Sequence, residues 1–510
     1  MKKTKYINEI FSYLLVFIAT LAILFLGLTL TATIPKSKIE DNLKKSATYL
    51  EKNSGIKRLQ PGREYTYLHL YADSVVLNII NCVDTNKPIK SIMWDNYYET
   101  IKMDVNNDFI EAVKENKKPN QQYIRYWHGS MIILRPLLMI ISLEQMYQVN
   151  YILLIILAIV LLIMIWKKSK KIAIAYIISM IMIAFPIIAM CLEFVWTFYI
   201  MFISSIIAIN IKKDKNLYKL FLIIGMITCF FDFLTTEIIT LFVPLLIILA
   251  IKKEKDEIQS FKEGAIIFLK SCILWFVGYA GMWIAKWTLA SIILNINALE
   301  YVKDQALLRV NGLQGLDSAK KMYVGAITQN WHTLYPINSV KRTSSLWLII
   351  AIFVVFFAII IDWKKIKNNK SSLILLVIAI MPYIRYLVLA NHSYRHSFFT
   401  FRSQIITIMA VTYFILDNSR LKDKIKQVAN TQINIKGKNK NEWYRINNTY
   451  AVPERRNNST NMYKKGTRVH KKRKFKCRNI NSRQWKYRQI GKTSKKIWSK
   501  SCPCKRKRIW

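Results

Sequence analysis

Apolar runs close to the ~20 residues that a helix needs to cross a bilayer recur along this chain. They fall at roughly 11–34, 151–166, 172–190, 191–211, 217–233, 238–251, 264–284, 346–362, 371–390 and 400–416. The pattern predicts an all-α polytopic membrane protein with about ten transmembrane helices. The first run follows Lys2, Lys3 and Lys5. It is too long for the apolar core of a cleaved leader and lacks a small-x-small site, so residues 1–34 read as a retained signal anchor. Residues 35–127 mix both charges with aromatics and predict a mixed extracytoplasmic loop domain after the first helix. Residues 128–420 carry the remaining spans. Within them 129–143 is apolar but short, which predicts a re-entrant or interfacial segment, and 285–345 forms a second outer segment.

Basic clusters then orient the chain. Lys2–Lys5, Lys167–Lys171, Lys212–Lys215, Lys252–Lys262, Lys364–Lys370 and Arg420–Lys426 fall on one side when the spans are counted in order. Short basic loops mark the cytoplasm. The expected location is therefore a bacterial-type plasma membrane, with the N-terminus cytoplasmic. Residues 35–127, the turns near Glu193, Asp232–Glu237 and 391–399, and the segment 285–345 fall outside.

The stretch from Arg125 to Leu138 (RYWHGSMIILRPLL) lies where the polar segment meets the next apolar run. An arginine buried in such a run needs a polar or anionic partner. The stretch is expected to border a site at the outer membrane surface, with Arg135 as a phosphate ligand and His128 at its mouth.

The formal charge of +46 changes the picture only until it is located. Residues 436–510 hold 26 Lys+Arg against two acids, so the excess gives no argument for nucleic acid as a partner of the membrane domain. Residues 421–510 read as a basic, disordered cytoplasmic tail. Assigning A/T-rich codons to Arg478–Arg488 (RNINSRQWKYR) and dropping one base gives EILIVDNGST. The same shift turns the surroundings of Pro453–Arg456 into PCLNEE, Tyr463–His470 into IKKAQEFI and Cys502–Trp510 into PVKEKGYG. In order, these resemble the N-terminal half of a family 2 glycosyltransferase of the kind that makes polyprenyl-phosphate sugars. The expectation is a native chain ending near Ile435, a functionless frameshift product over 436–510, and a functional link to such an enzyme.

The cysteines have no zinc or disulfide spacing, and no phosphate-binding loop, dinucleotide fingerprint, HExxH motif or nucleophile elbow occurs in a suitable context. Candidate chemistry is spread over the outer turns. Asp73, in the first outer loop, is the expected catalytic carboxylate, able to take a proton from an acceptor hydroxyl. Arg135, Lys286, His392, His396 and Arg402 are of the type that holds a leaving phosphate. His128, Asp232 and Glu237 are candidates for donor or sugar contacts. A loop cap for Asp73, an interfacial role for His128, and a polar turn for Asp232 and Glu237 are the competing structural readings.

Over residues 1–420 the architecture, with an acid in the first outer loop and about ten spans, resembles the GT-C class of multi-pass glycosyltransferases. The resemblance implies transfer of a sugar from a polyprenyl-phosphate donor to a cell-envelope glycan or lipid-linked acceptor at the outer face. That class often carries a paired acid where this chain has Asp73 alone, so no metal set is implied and no cofactor is expected; membrane lipid is the other expected partner. A flippase of lipid-linked glycan would show internal repeats, which are not evident. An acyltransferase would want its histidine facing a cytoplasmic donor. A non-catalytic envelope assembly protein is the remaining alternative.

Overall fold

The computed structural model describes residues 2–420 apart from 54–55, 59–66, 101–103, 313–317, 335–354, 356–357 and 369. The expected span 346–362 is described only at residue 355 and from 358 onward. The tail 421–510, with its out-of-frame reading, lies outside the described residues.

The described chain is nearly all helix. An N-terminal helix α1 (Lys2–Ala32) leads into α2 (Glu40–Lys52), a small antiparallel pair β1 (Ile56–Arg58) and β2 (Tyr67–His69), α3 (Leu70–Asn81), α4 (Pro88–Trp94) and α5 (Val105–Lys114). Next come α6 (Met131–Leu137), α7 (Leu143–Lys168), α8 (Lys170–Met182), α9 (Leu192–Asn210), α10 (Asp214–Phe231), α11 (Ile239–Glu254) and α12 (Phe261–Leu294). The remainder comprises α13 (Ala298–Asn311), α14 (Ala319–Leu334), α15 (Trp363–Asn368), α16 (Leu373–Val388), α17 (Ala390–Arg395), α18 (Ser397–Thr400) and α19 (Ile405–Asn418).

Among the described residues, six helical stretches are long and apolar enough to cross a membrane: Ile7–Ala32, Leu143–Lys168, Leu192–Asn210, Phe261–Leu294, Lys370–Val388 and Ser397–Asn418. Local chemistry starts the two longest internal ones. The Ser142 N–H donates to Gln145 Oε1 at 2.9 Å ahead of α7. Ser260 and Glu263 bond reciprocally at 3.3 Å ahead of α12. Both are capping boxes that satisfy first-turn donors. Asn295, at φ 56°, closes α12 in the left-handed conformation.

Burial sorts the helices into centre and rim. Every residue of α11 from Ile239 to Ile251 is buried, whereas α1 exposes Ile10, Phe11, Leu15, Ile23 and Leu30 and α7 exposes Ile152, Ile156 and Ile159. An apolar surface of this kind needs lipid against it. Between α10 and α12 the backbones touch. A side chain at Gly225 would run into the Trp275 carbonyl, and one at Gly278 into the Leu222 carbonyl. Only residues without a Cβ permit that approach.

Residues 35–127 do not build a core of their own. Leu43, Leu77, Phe109 and Trp127 belong to the same buried cluster as α9, α10 and α11. Two cations expected at a site are struts in this junction. The Arg135 guanidinium, fully buried, donates from Nη1 to Ile80 O and from Nη2 to Ile34 O, both at 2.6 Å. It thereby ties the C-terminal ends of α1 and α3 together, where carbonyls lack helical partners and the dipole favours a cation. Lys286 Nζ, also fully buried, donates to Asp95 Oδ2 and Ile92 O at 2.8 Å. It locks the end of α4 onto α12. Trp127 Nε1 adds a bond to Met282 O at 2.9 Å.

At one end of the body, lysines from separate segments converge on Asp417. Lys171 Nζ lies 2.6 Å from Oδ1, Lys253 pairs with Oδ2, and Lys365 donates to the Asp417 carbonyl. Three of the basic clusters thus lie at the same end. The turn 232–237 precedes α11, and Lys253 is in its last turn, so the two ends are separated by that helix, ~24 Å at 1.5 Å per residue.

Candidate functional site

The far end, around Phe233, gathers side chains from five regions of sequence. His69 ends β2, Tyr123 to His128 precede α6, Glu193 opens α9, Phe233 follows α10, and His392 and His396 come from α17 and its end. With Tyr71, Ala72, Val75, Val76 and Phe399 they line a cavity of about 200 Å³.

The turn between α10 and α11 is the hub. Leu234 sits at φ 64°, a left-handed conformation costly for a branched side chain. Its carbonyl accepts from Arg385 Nη2 at 2.7 Å and bonds His392 Nε2 at 2.8 Å. Arg385 also grips Glu237 from Nε at 2.8 Å and Nη2 at 3.2 Å, and Ser393 Oγ at 3.0 Å. This bidentate pairing consumes the Glu237 carboxylate. Asp232 turns back on its own loop and accepts from the Thr235 N–H and hydroxyl. Burial, and then the neighbouring Glu237, push its carboxyl up from the ordinary range.

Asp73 is fully buried and does not face the cavity as a reagent. Its Oδ2 accepts from the Tyr147 hydroxyl at 2.6 Å and the Leu192 N–H at 3.0 Å, and Oδ1 from the Glu193 N–H at 3.2 Å. It is the side-chain cap of α9, supplied from α3. Desolvation raises its carboxyl to about 7 against those hydrogen bonds. Each oxygen accepts from the protein, which is the capping arrangement that competes with the proton-transfer role expected for Asp73.

Glu193, fixed by that cap, meets the cavity. Its Oε2 lies 3.0 Å from His69 Nδ1. The His69 ring stacks against Tyr71 at 5.8 Å and Phe194 at 6.4 Å, with Phe398 at 5.1 Å. His128 lies on the cavity wall between Tyr123 at 5.0 Å and Phe233 at 5.1 Å. Burial, and then Lys286, hold its imidazole well below the usual histidine range, so it is neutral. His392 and His396 are 4.6 Å apart, and Phe399 stacks on His396 at 5.3 Å.

Of the expected residues, His128, His392 and His396 share the cavity wall, and Asp232 and Glu237 bracket its central turn. Arg135 and Lys286 are not lining residues. Arg402 lies behind the wall, its guanidinium 5.0 Å over the Phe194 ring and 4.9 Å over Phe401, with Nη1 donating to Phe398 O at 3.4 Å. His69 and Glu193 are additions to the expected set. Glu193 is an acid in an otherwise apolar run, which is a detectable signal; His69 has none, because its neighbourhood is made by distant segments.

Across Tyr126 a second space opens, a groove of about 370 Å³ lined by Arg125, Phe276, Tyr279, Trp283, Ile284, Trp287 and Leu389 among others. The Tyr126 ring stands 5.2 Å from Trp283 on one side and 5.3 Å from Phe233 on the other. The Arg125 guanidinium lies 4.5 Å over Tyr123, a cavity residue. A polar cavity and an aromatic groove thus meet at a cation. Among the described residues no cluster of three or more His, Cys, Asp or Glu is arranged to hold a metal. No family model, curated protein or solved structure matches this chain.

Proposed function

We propose that this protein is a GT-C-like membrane glycosyltransferase. It moves a sugar from a polyprenyl-phosphate donor to a cell-envelope glycan or lipid-linked acceptor. The observation that carries the reading is the junction at Tyr126. A polar cavity on one side suits a sugar, an aromatic groove on the other suits an isoprenoid tail, and Arg125 stands between them where the phosphate of such an amphiphile would lie. In this reading about ten helices cross a bacterial-type plasma membrane, with the N-terminus and the Asp417 lysine cluster in the cytoplasm. Residues 35–127 lie outside, and residues 436–510 are read out of frame from a neighbouring gene for a family 2 enzyme that loads the lipid carrier. Arg125 replaces Arg135 and Lys286 as the proposed phosphate ligand.

The test is reconstitution of the full chain in liposomes with radiolabelled polyprenyl-phosphate glucose, mannose or N-acetylglucosamine, and cell-envelope extract as the acceptor source. Label passing from the donor to a larger glycan or a second lipid is the expected result. Donor crossing the vesicle wall with its sugar still attached would replace this reading with a transporter.

A further inference from the structure

The cavity holds one pair of side chains arranged to accept a proton, and it is not the acid that sequence favours. His69 Nδ1 and Glu193 Oε2 are 3.0 Å apart, and both side chains line the cavity. With the carboxylate accepting the Nδ1 proton, the imidazole is held in the tautomer whose Nε2 carries a lone pair. No other hydrogen bond to the His69 ring occurs among the described residues. The neighbouring histidines are placed differently. His392 Nε2 is engaged by the Leu234 carbonyl, His128 lies between the Tyr123 and Phe233 rings, and His396 stacks on Phe399.

Glu193 is in turn held by Asp73, which caps the α9 N-terminus through the Leu192 and Glu193 N–H groups. The order is therefore Asp73 to α9, α9 to Glu193, and Glu193 to His69. Each member fixes the next, which is the arrangement that makes an imidazole a competent base.

We propose that the His69–Glu193 pair is the general base of this site and takes the proton of the acceptor hydroxyl during glycosyl transfer. The proposal rests on the glycosyltransferase reading above. The acceptor O–H proton passes to His69 Nε2 as its oxygen bonds to the anomeric carbon of the donor sugar. The bond from that carbon to the phosphate oxygen breaks, and its electron pair leaves with the polyprenyl phosphate. Glu193 stabilises the imidazolium that forms. The steps balance with donor and acceptor alone. Asp73 is a positioning residue, acting through Glu193.

The assay uses the full chain in liposomes, with the same radiolabelled donors and envelope extract. His69→Ala is expected to lower the transfer rate by ~10²- to 10⁴-fold, the usual contribution of a general base, with the donor KM changed less than about threefold. Adding free imidazole is expected to restore part of the rate, which repair of a merely structural defect would not do. Glu193→Gln is expected to lower the rate and move the acid limb of its pH profile, while donor KM again holds. A wild-type protein that transfers sugar, alongside a His69→Ala protein of equal rate, overturns the dyad and leaves the transferase reading standing. A His69→Ala protein whose melting temperature falls with its activity, and which imidazole does not rescue, also overturns it. A wild-type protein that transfers from none of the donors removes both.

Discussion

Asp73 separates a capping carboxylate from a catalytic one. Replacing it with alanine would strand three buried donors: the Tyr147 hydroxyl and the Leu192 and Glu193 N–H groups. Each unsatisfied buried donor costs ~1–3 kcal/mol, so Asp73→Ala should lose several kcal/mol and fall well below wild type in melting temperature in detergent. Asparagine keeps an acceptor oxygen and the same volume, so Asp73→Asn should lose far less. The pH dependence has a definite sign. The folded carboxyl is raised by burial to about 7, from an ordinary 3.8. Its stabilising contribution is fully present below about 3.8 and is lost as pH rises through about 7. Wild type should therefore lose stability relative to Asp73→Asn as pH rises from about 4 to about 7 and level off above that, read by tryptophan fluorescence during thermal unfolding. An Asp73→Ala protein as stable as wild type would refute the cap. A stable, folded Asp73→Asn protein with its transfer rate down by orders of magnitude and donor KM unchanged would return Asp73 to the chemistry.

Arg135→Met would leave the Ile34 and Ile80 carbonyls without their guanidinium and should lower stability by ~2–4 kcal/mol. Because the side chain is sealed away from the cavity, donor KM in the surviving folded protein should be unchanged; a raised KM with normal stability would make Arg135 a phosphate ligand after all. Gly278→Val should separate α10 from α12, since its side chain meets the Leu222 carbonyl, and the loss of monodisperse protein on size exclusion would report it. A stop codon after Ile435 should leave both transfer and melting temperature at the full-chain values. Resequencing the coding locus should find the base change that joins the two frames, and an intact single frame through residue 510 would sink that reading.

Much of the membrane architecture was legible because its cause is local. A run of apolar residues has one way to satisfy its backbone in hydrocarbon, and that is a helix. The capping boxes at Ser142 and Ser260 are equally local, with donor and acceptor three residues apart. Even the gathering of His128, His392, His396 and the Asp232–Glu237 turn at one end followed from the basic clusters that mark the other. The union of residues 35–127 with the membrane helices was not legible. It depends on Trp127 reaching Met282 and Lys286 reaching Asp95, pairs more than a hundred and fifty residues apart. For the same reason His69 escaped notice, since Glu193 is 124 positions away.

The cations show why type and predicted side were insufficient to assign a ligand. A buried guanidinium requires several acceptors, and sequence does not tell whether they come from a phosphate or from the protein itself. Arg135 finds two carbonyls at helix ends and Arg385 finds a carboxylate, a hydroxyl and a carbonyl, so their demand is largely met within the chain. Arg125 differs, since it lines the groove with its guanidinium 4.5 Å over the Tyr123 ring. The backbone tells the same story. His128, at φ 49°, and Leu234, at φ 64°, are non-glycine residues in the left-handed region; His128 lines the cavity and Leu234 the groove. Such conformations cost ~1–2 kcal/mol each and persist where surrounding bonds over-determine them. Here the Gly129 N–H bond to Phe230 O at 3.0 Å and the two groups on the Leu234 carbonyl supply that constraint. Strain held by cross-links beside the cavity and beside the groove favours walls set before anything binds, which is what the proposed transfer would need.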